Sequence, residues 1–218
     1  MDAITEAVRR IADLGGPVVL ILIAISILTM AVIIYKLWQF SAAGVGRHTA
    51  LKAAVQAWDH GRKAQSKSEL GRSKSYLAPV LSLGINDCAT TDRLEAEAEV
   101  RFLQLERGFK LLDTVAQLAP LLGLFGTVLG MISAFQALQE AGSQVDPSIL
   151  AGGIWVALLT TAAGLVVAMP TAAVLTWFEA RMERERVFAG QAIATIHGPT
   201  HSAEAIQEER TDAAFVPA

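Results

Sequence analysis

Among the threonines in the uncharged stretches of this chain, three stand beside glycines and alanines at helical spacing. Thr127 sits in GLFGTVLG, and Thr160 and Thr161 are adjacent in ALLTTAAG. A hydroxyl in an apolar setting donates one hydrogen bond and accepts others, so it can extend a polar path. It does not hold a proton as a carboxylate does. Around Thr127, the residues Ala116, Pro120, Gly123, Thr127, Gly130 and Ala134 recur at spacings of 4, 3, 4, 3 and 4, one face of a helix. Gly126 and Gly130 also form a G-x-x-x-G. Gly153, Ala157, Thr161, Gly164, Ala168 and Ala172 repeat in a similar way, with Pro170 placed to bend that helix. Small residues let helices approach closely, and hydroxyls bond across the contact or into a wet path. A compact helical hairpin with no pathway fits the same spacing. Each threonine can also bond a preceding carbonyl of its own helix.

The elements that must position these residues are long and apolar. Thr114 to Gln139 and Pro147 to Phe178 contain no charged side chain, and a third uncharged run extends from Leu14 to Tyr35. About 20 residues cross a hydrocarbon core, so three spans are expected. A content of 53% hydrophobic and 18% charged residues agrees with a membrane protein. The fold class expected is all-α, an integral membrane protein with three transmembrane helices, two of them long and extending into the cytoplasm.

The parts follow in order. Residues 1–13 form a short periplasmic amphipathic helix, and 14–40 a first, lipid-facing span retained rather than cleaved as a signal peptide. Residues 41–113 form a cytoplasmic helical region, with Ala50 to His60 helical and Gly61 to Ser75 a turn or mobile linker. Asp92 with Glu95 reads as a helix cap. Leu94, Ala98, Phe102, Leu105, Phe109 and Leu112 form an apolar stripe, with Glu97–Arg101 and Glu106–Lys110 pairs on the solvated faces. Nothing but Gly108 interrupts this stripe, so one helix of roughly 70 Å is expected from Asp92 to Leu138. The second span covers 114–139, a periplasmic turn 140–146, and the third span 147–178. Residues 179–218 are a cytoplasmic helix extension, ended by Gly198 and Pro199, and a disordered tail.

Charge gives the orientation. Twelve Lys and Arg lie between Tyr35 and Thr114, none between the second and third spans, and Arg181, Arg184 and Arg186 follow the third. Positive charge marks the cytoplasmic side, which puts the N-terminus in the periplasm and the C-terminus inside. Trp38 and Trp177 then mark the inner interface; Trp155 reads as an outer-interface or a packing residue. The run from Arg62 to Lys74 reads as an inside-retention signal or a lipid contact rather than a nucleic-acid site.

Other chemistry is thinly supported. Cys88 is the single cysteine, which excludes an intrachain disulfide. His197 and His201 lack a third ligand, so no metal and no cofactor is expected. GLFGTVLG lacks the Lys of a phosphate loop, and no nucleophile motif suggests an enzyme. A proton relay needs a titratable group within the membrane, and Asp113, Glu140, Asp146 and Glu179 only flank the spans. If the chain belongs to a proton channel, the carrier must come from a partner.

LAPLLGLFGTVLGM (Leu118 to Met131), preceded by RGFKLLDTVAQLAP, and LAGGIWVALLTTAAGLVVAMP (Leu150 to Pro170) resemble the MotA/TolQ/ExbB proton channel family, most closely its ExbB and TolQ branch. The resemblance runs from about Leu94 to Arg184. It implies a homopentamer in the bacterial inner membrane whose second and third spans line a pore. An ExbD- or TolR-like single-span partner would bring a membrane Asp, and proton flow would drive a TonB- or TolA-like protein. On this reading Thr127 and Thr161, with Thr160, belong to the proton pathway. Pro120, Gly123, Gly126, Gly130, Gly153, Ala157, Gly164 and Pro170 pack helices and line the pore. One position departs from the family: its usual G-I-x-E-A-L reads GIWVAL here, with Val156 in place of the glutamate. A pentameric scaffold that has lost conduction is the alternative. A small-molecule transporter lacks the polar, broken-helix constellation that such proteins use.

Overall fold

The structure, a computed structural model, describes residues 2–86, 88–140 and 147–199, with side chains described from Gly16 onward except Ile149. The expected periplasmic turn at 140–146 beyond its first residue, the expected disordered tail beyond Pro199 and the expected amphipathic face on residues 1–13 lie outside what is described.

Among the described residues seven helices follow one another: α1 (Asp2–Ala42), α2 (Thr49–Asp59), α3 (Lys63–Arg72), α4 (Ala78–Ile85), α5 (Thr91–Glu106), α6 (Phe109–Glu140) and α7 (Pro147–His197). The architecture is all-helical, and three of the described stretches are long and apolar enough to cross a membrane: Gly16–Ala42, Phe109–Glu140 and Leu150–His197. The chain forms two compact units. The first takes residues up to Tyr35 and Gly108–Phe178; the second takes Lys36–Arg107 and residues from Glu179 on.

In the first unit α1 changes course at Gly16, whose φ of 67° suits a residue without a Cβ. Pro17 reinforces the break, because proline disfavours helical backbone in the residue before it. Beyond it, Val18 and Leu22 are buried against Ala119 and Ala168. Thr29 is buried on the same helix and donates to the Ile25 carbonyl at 2.8 Å. The opposite side of α1 exposes Ile21, Ile27, Leu28, Met30 and Ile34. The first span is therefore lipid-facing on one side only, and packed by a stripe on the other. Leu121, Leu124, Phe125, Leu158, Val166 and Met169 are likewise exposed. An apolar exterior over helices that satisfy their own backbone suits hydrocarbon.

The second unit is built as a water-soluble core. Leu51, Trp58, Leu81, Leu94, Phe102, Met182 and Ile193 are buried, and each such side chain removed from water contributes about 1.5–3 kcal/mol. Helix ends are tied by side chains from elsewhere. The Trp58 indole donates to the Ile196 carbonyl at 2.9 Å, near the end of α7.

Four local expectations need correction. Residues Gly61 to Ser75 are not a linker throughout, since α3 occupies Lys63–Arg72 with Leu70 and Ser66 buried. The cap of α5 is Thr90 without a side-chain hydrogen bond, and Asp92 lies in its first turn instead. The Asp92 to Leu138 helix is two helices, parted where Arg107 turns extended (ψ 125°) and Gly108 takes φ 95°. The buried Lys36 Nζ donates to the Leu105 carbonyl at 2.9 Å and to Gln39 Oε1 at 2.7 Å. An acceptor that a continuous helix would satisfy itself is thus served by α1. The Glu97–Arg101 and Glu106–Lys110 pairs are not formed among the described residues. Glu106 pairs with Arg186 Nη1 at 2.7 Å, and Arg186 Nη2 reaches Glu99 at 3.1 Å.

Candidate functional site

The site lies in the first unit, where α6 and α7 meet along a seam of small residues. Helix association in lipid relies on close packing, because hydrocarbon gives no hydrophobic drive between helices. Here backbones replace side chains at the contact. A methyl group on Gly123 would come within 2.9 Å of the Thr160 carbonyl and 3.1 Å of the Thr161 Cα. On Gly164 it would meet the Ala119 carbonyl at 2.6 Å and the Gly123 Cα at 3.1 Å. On Gly130 it would lie 3.3 Å from Ala157 Cβ, and Gly153 faces Ala134.

The contacting stripe on α6 is Ala119, Gly123, Gly126, Gly130 and Ala134. That on α7 is Gly153, Ala157, Thr160, Gly164 and Ala168. Relative to the spacing expected from sequence, Gly126 and Thr160 take the central places that Thr127 and Thr161 held. Pro120 and Thr127 are half-buried at the margin of the seam. Pro170 is exposed and α7 remains helical across it.

The three hydroxyls are held differently. Thr160 is fully buried and donates to the Ala157 carbonyl at 2.7 Å. Thr127 is half-buried and donates to the Leu124 carbonyl at 2.6 Å. Both are bonds within the parent helix, the arrangement open to any membrane threonine. Thr161 alone crosses the seam, its Oγ1 lying 3.5 Å from the Gly123 carbonyl. With its hydrogen committed, each oxygen keeps lone pairs to accept a bond from outside.

Val156 lines a cavity of about 280 Å³ beside the seam, with Gly126, Gly130, Ser133, Ala134 and Thr160 among its walls, and Gly16, Pro17 and Val18 closing it from α1. Among the described residues no acidic or basic side chain lines it, so Val156 is part of an uncharged wall there.

The second unit holds the polar residues that sequence reading missed. Glu185 is 1% exposed and accepts from Tyr76 Oη at 2.8 Å, with His48 Nε2 at 2.9 Å. His48 stacks on Phe188 at 4.2 Å between ring centroids. Burial and the Glu185 contact push the Tyr76 phenol well above its ordinary pKa of 10.0. A sequence signal existed: Glu185 stands at helical spacing within the stripe Phe178, Met182, Ala189, Ile193 and Ile196. His197, once considered as a ligand, instead lies 3.3 Å from the Ala89 carbonyl.

Comparison with known proteins accounts for the seam. The MotA/TolQ/ExbB proton channel family pattern matches residues 67–188. The biopolymer transport protein exbB1 of Vibrio cholerae is 30% identical over 182 residues, covering 79% of this chain and 78% of that protein. The biopolymer transport protein ExbB-like 1 of Synechocystis is 35% identical over 162 residues, 71% of this chain. This chain spans 64% of that relative's length, just under two thirds. The Tol-Pal system protein TolQ of Pseudomonas aeruginosa is 35% identical over 105 residues, 46% of this chain and 45% of that protein. With a glycine seam between two apolar helices and a family match over more than half its length, this multi-pass membrane protein belongs to the MotA/TolQ/ExbB proton channel family.

Proposed function

We propose that this chain is an ExbB/TolQ-like channel subunit of an inner-membrane motor that couples the proton-motive force to outer-membrane transport or envelope integrity. The observation that carries the reading is the composition of the α6–α7 seam: hydroxyls and backbone, with no titratable side chain among the described residues. Its threonine oxygens accept, and a neutral carboxylic acid donates. The two are complementary when a protonated aspartate lies beside them. That aspartate belongs to an ExbD- or TolR-like single-span partner seated among several copies of this chain, a homopentamer in our reading. A TonB- or TolA-like protein receives the work. The N-terminus lies in the periplasm and the C-terminus in the cytoplasm in this reading, which the arginines after α7 support. Thr127 and Thr161 sit along the path, and Thr160 holds the wall.

Co-expression with such a single-span partner tests the reading. A stable complex on purification is expected. A monomer that ignores the partner would rule it out.

Val156 motivates a second reading, a pentameric scaffold that no longer conducts. Normal proton-dependent activity in cells carrying only this subunit would exclude it.

A further inference from the structure

A basic groove lies in the second unit where α1 leaves its apolar stretch. It has a volume of about 480 Å³, and its walls include Ser41, Arg47, Arg72, Ser73 and Lys74. Among the described residues no acidic side chain lines it. The loop after α1 turns back on itself through Gly44 (φ 69°) and Gly46 (φ 81°), conformations that side chains with a Cβ disfavour. Tyr76 N donates to the Ala43 carbonyl at 3.2 Å, so this loop and the Ser73–Ser75 segment are held together. A further cation closes in behind: Arg181 packs against Gly46 and donates to the Val45 carbonyl at 3.4 Å.

The cations of the groove are little used within the chain. Arg72 meets Glu69 at 3.6 Å, with the Arg72 side chain 76% exposed, a contact of small worth in water. Arg47 and Lys74 make no ion pair among the described residues. Like charges held together without counter-charges call for an anion. The depth of the groove says which. The apolar stretch of α1 ends at Ala42, and Trp38, 68% exposed, stands one turn before the groove. An exposed tryptophan at the end of a span marks the level of the headgroups. Basic pockets beside spans at that level suit lipid phosphates.

We propose that Arg47, Arg72 and Lys74 form a binding site for the phosphate headgroup of an anionic phospholipid. The acyl chains lie against the exposed Leu37 and Trp38 at the end of α1, and the hydroxyls of Ser41 and Ser73 are available to the phosphate oxygens. The site stands independently of the channel reading, since it needs only that α1 spans a membrane.

The test uses the full chain in neutral detergent, with native mass spectrometry reading bound lipid. Phosphatidylglycerol is expected to bind in preference to phosphatidylcholine. Each cation near a membrane surface contributes about fivefold in affinity, so the R47Q/R72Q/K74Q variant is expected to lose on the order of 100-fold. A control variant, R62Q/R93Q, removes two cations outside the groove and is expected to keep the preference. Should the triple variant fail to fold, Arg47→Gln and Lys74→Gln taken singly are each expected to lose about fivefold. Unchanged preference in these variants, or equal binding of the two lipids by the native chain, would overturn the site. Displacement of the lipid by inorganic phosphate at equal concentration would overturn the lipid assignment in favour of a soluble anion.

Discussion

The Thr160 side chain occupies the place where a side chain on Gly126 would begin: a methyl group there would meet Thr160 Cβ and Oγ1 at 2.7 Å. This pair sets the closest approach of α6 and α7 around the hydroxyls. Gly126→Val should therefore separate the helices and lower stability by about 1–3 kcal/mol. Gly152, also on α7, has nothing within 4 Å, so Gly152→Ala should be neutral or slightly stabilising. Thermal melts of both variants in one detergent check the contrast; equal loss would mean that the seam does not hold the hairpin.

Thr160 and Thr161 should separate by phenotype. Thr161 reaches across to Gly123, whereas Thr160 bonds its own helix. Thr161→Val is expected to reduce proton-dependent function while assembly persists. Thr160→Val keeps the volume that fills the seam and loses only a bond within the helix, so its stability should fall by about 1 kcal/mol or less. Uptake or envelope assays, paired with size-exclusion profiles, distinguish the two.

Val156→Glu should not be a harmless return to the family pattern. Among the described residues the cavity beside Val156 has no cation to receive a carboxylate, and an acid at membrane depth costs roughly 2.5–3.5 kcal/mol. A lower melting temperature is expected for the chain alone. Unchanged stability would show that the cavity admits water or a counter-ion.

The Tyr76–Glu185 contact predicts alkaline sensitivity. The Tyr76 phenol is held above its ordinary pKa of 10.0 by burial first and by Glu185 next. The native state therefore keeps a proton that the unfolded chain releases. The stabilisation is whole below pH 10 and is lost as pH rises beyond it. Tyr76→Phe should remove this slope and, by leaving a Glu185 oxygen unserved, cost about 1–3 kcal/mol at neutral pH. Tyrosinate absorbance in a Tyr35→Phe background, with Tyr76 then the sole tyrosine, reports the titration directly.

How much of this was legible in the sequence can be traced residue by residue. The uncharged runs and the small-residue stripes fixed the helices and the face that packs. The register within the stripe was not legible, because Gly126–Thr127 and Thr160–Thr161 offer two small or hydroxylic residues side by side. Neighbours on a helix differ by about 100° in direction, and both choices satisfy the spacing. The break at Gly108 was hidden for a different reason. A lone glycine is tolerated within a helix, and the group serving the freed carbonyl of Leu105 is Lys36, 69 residues away. Glu185 was hidden by the habit of reading charge as surface, although its place in an apolar stripe marked it as buried.

Proton flux into vesicles tests the central claim most directly, that these helices supply a hydroxyl-bearing wall without a proton carrier of their own. The purified chain is reconstituted alone, with the proposed ExbD- or TolR-like single-span protein, and with a version of that protein whose membrane aspartate is changed to asparagine. Flux is expected only with the native partner. Flux through the chain alone, or through the asparagine complex at the native rate, would contradict the account.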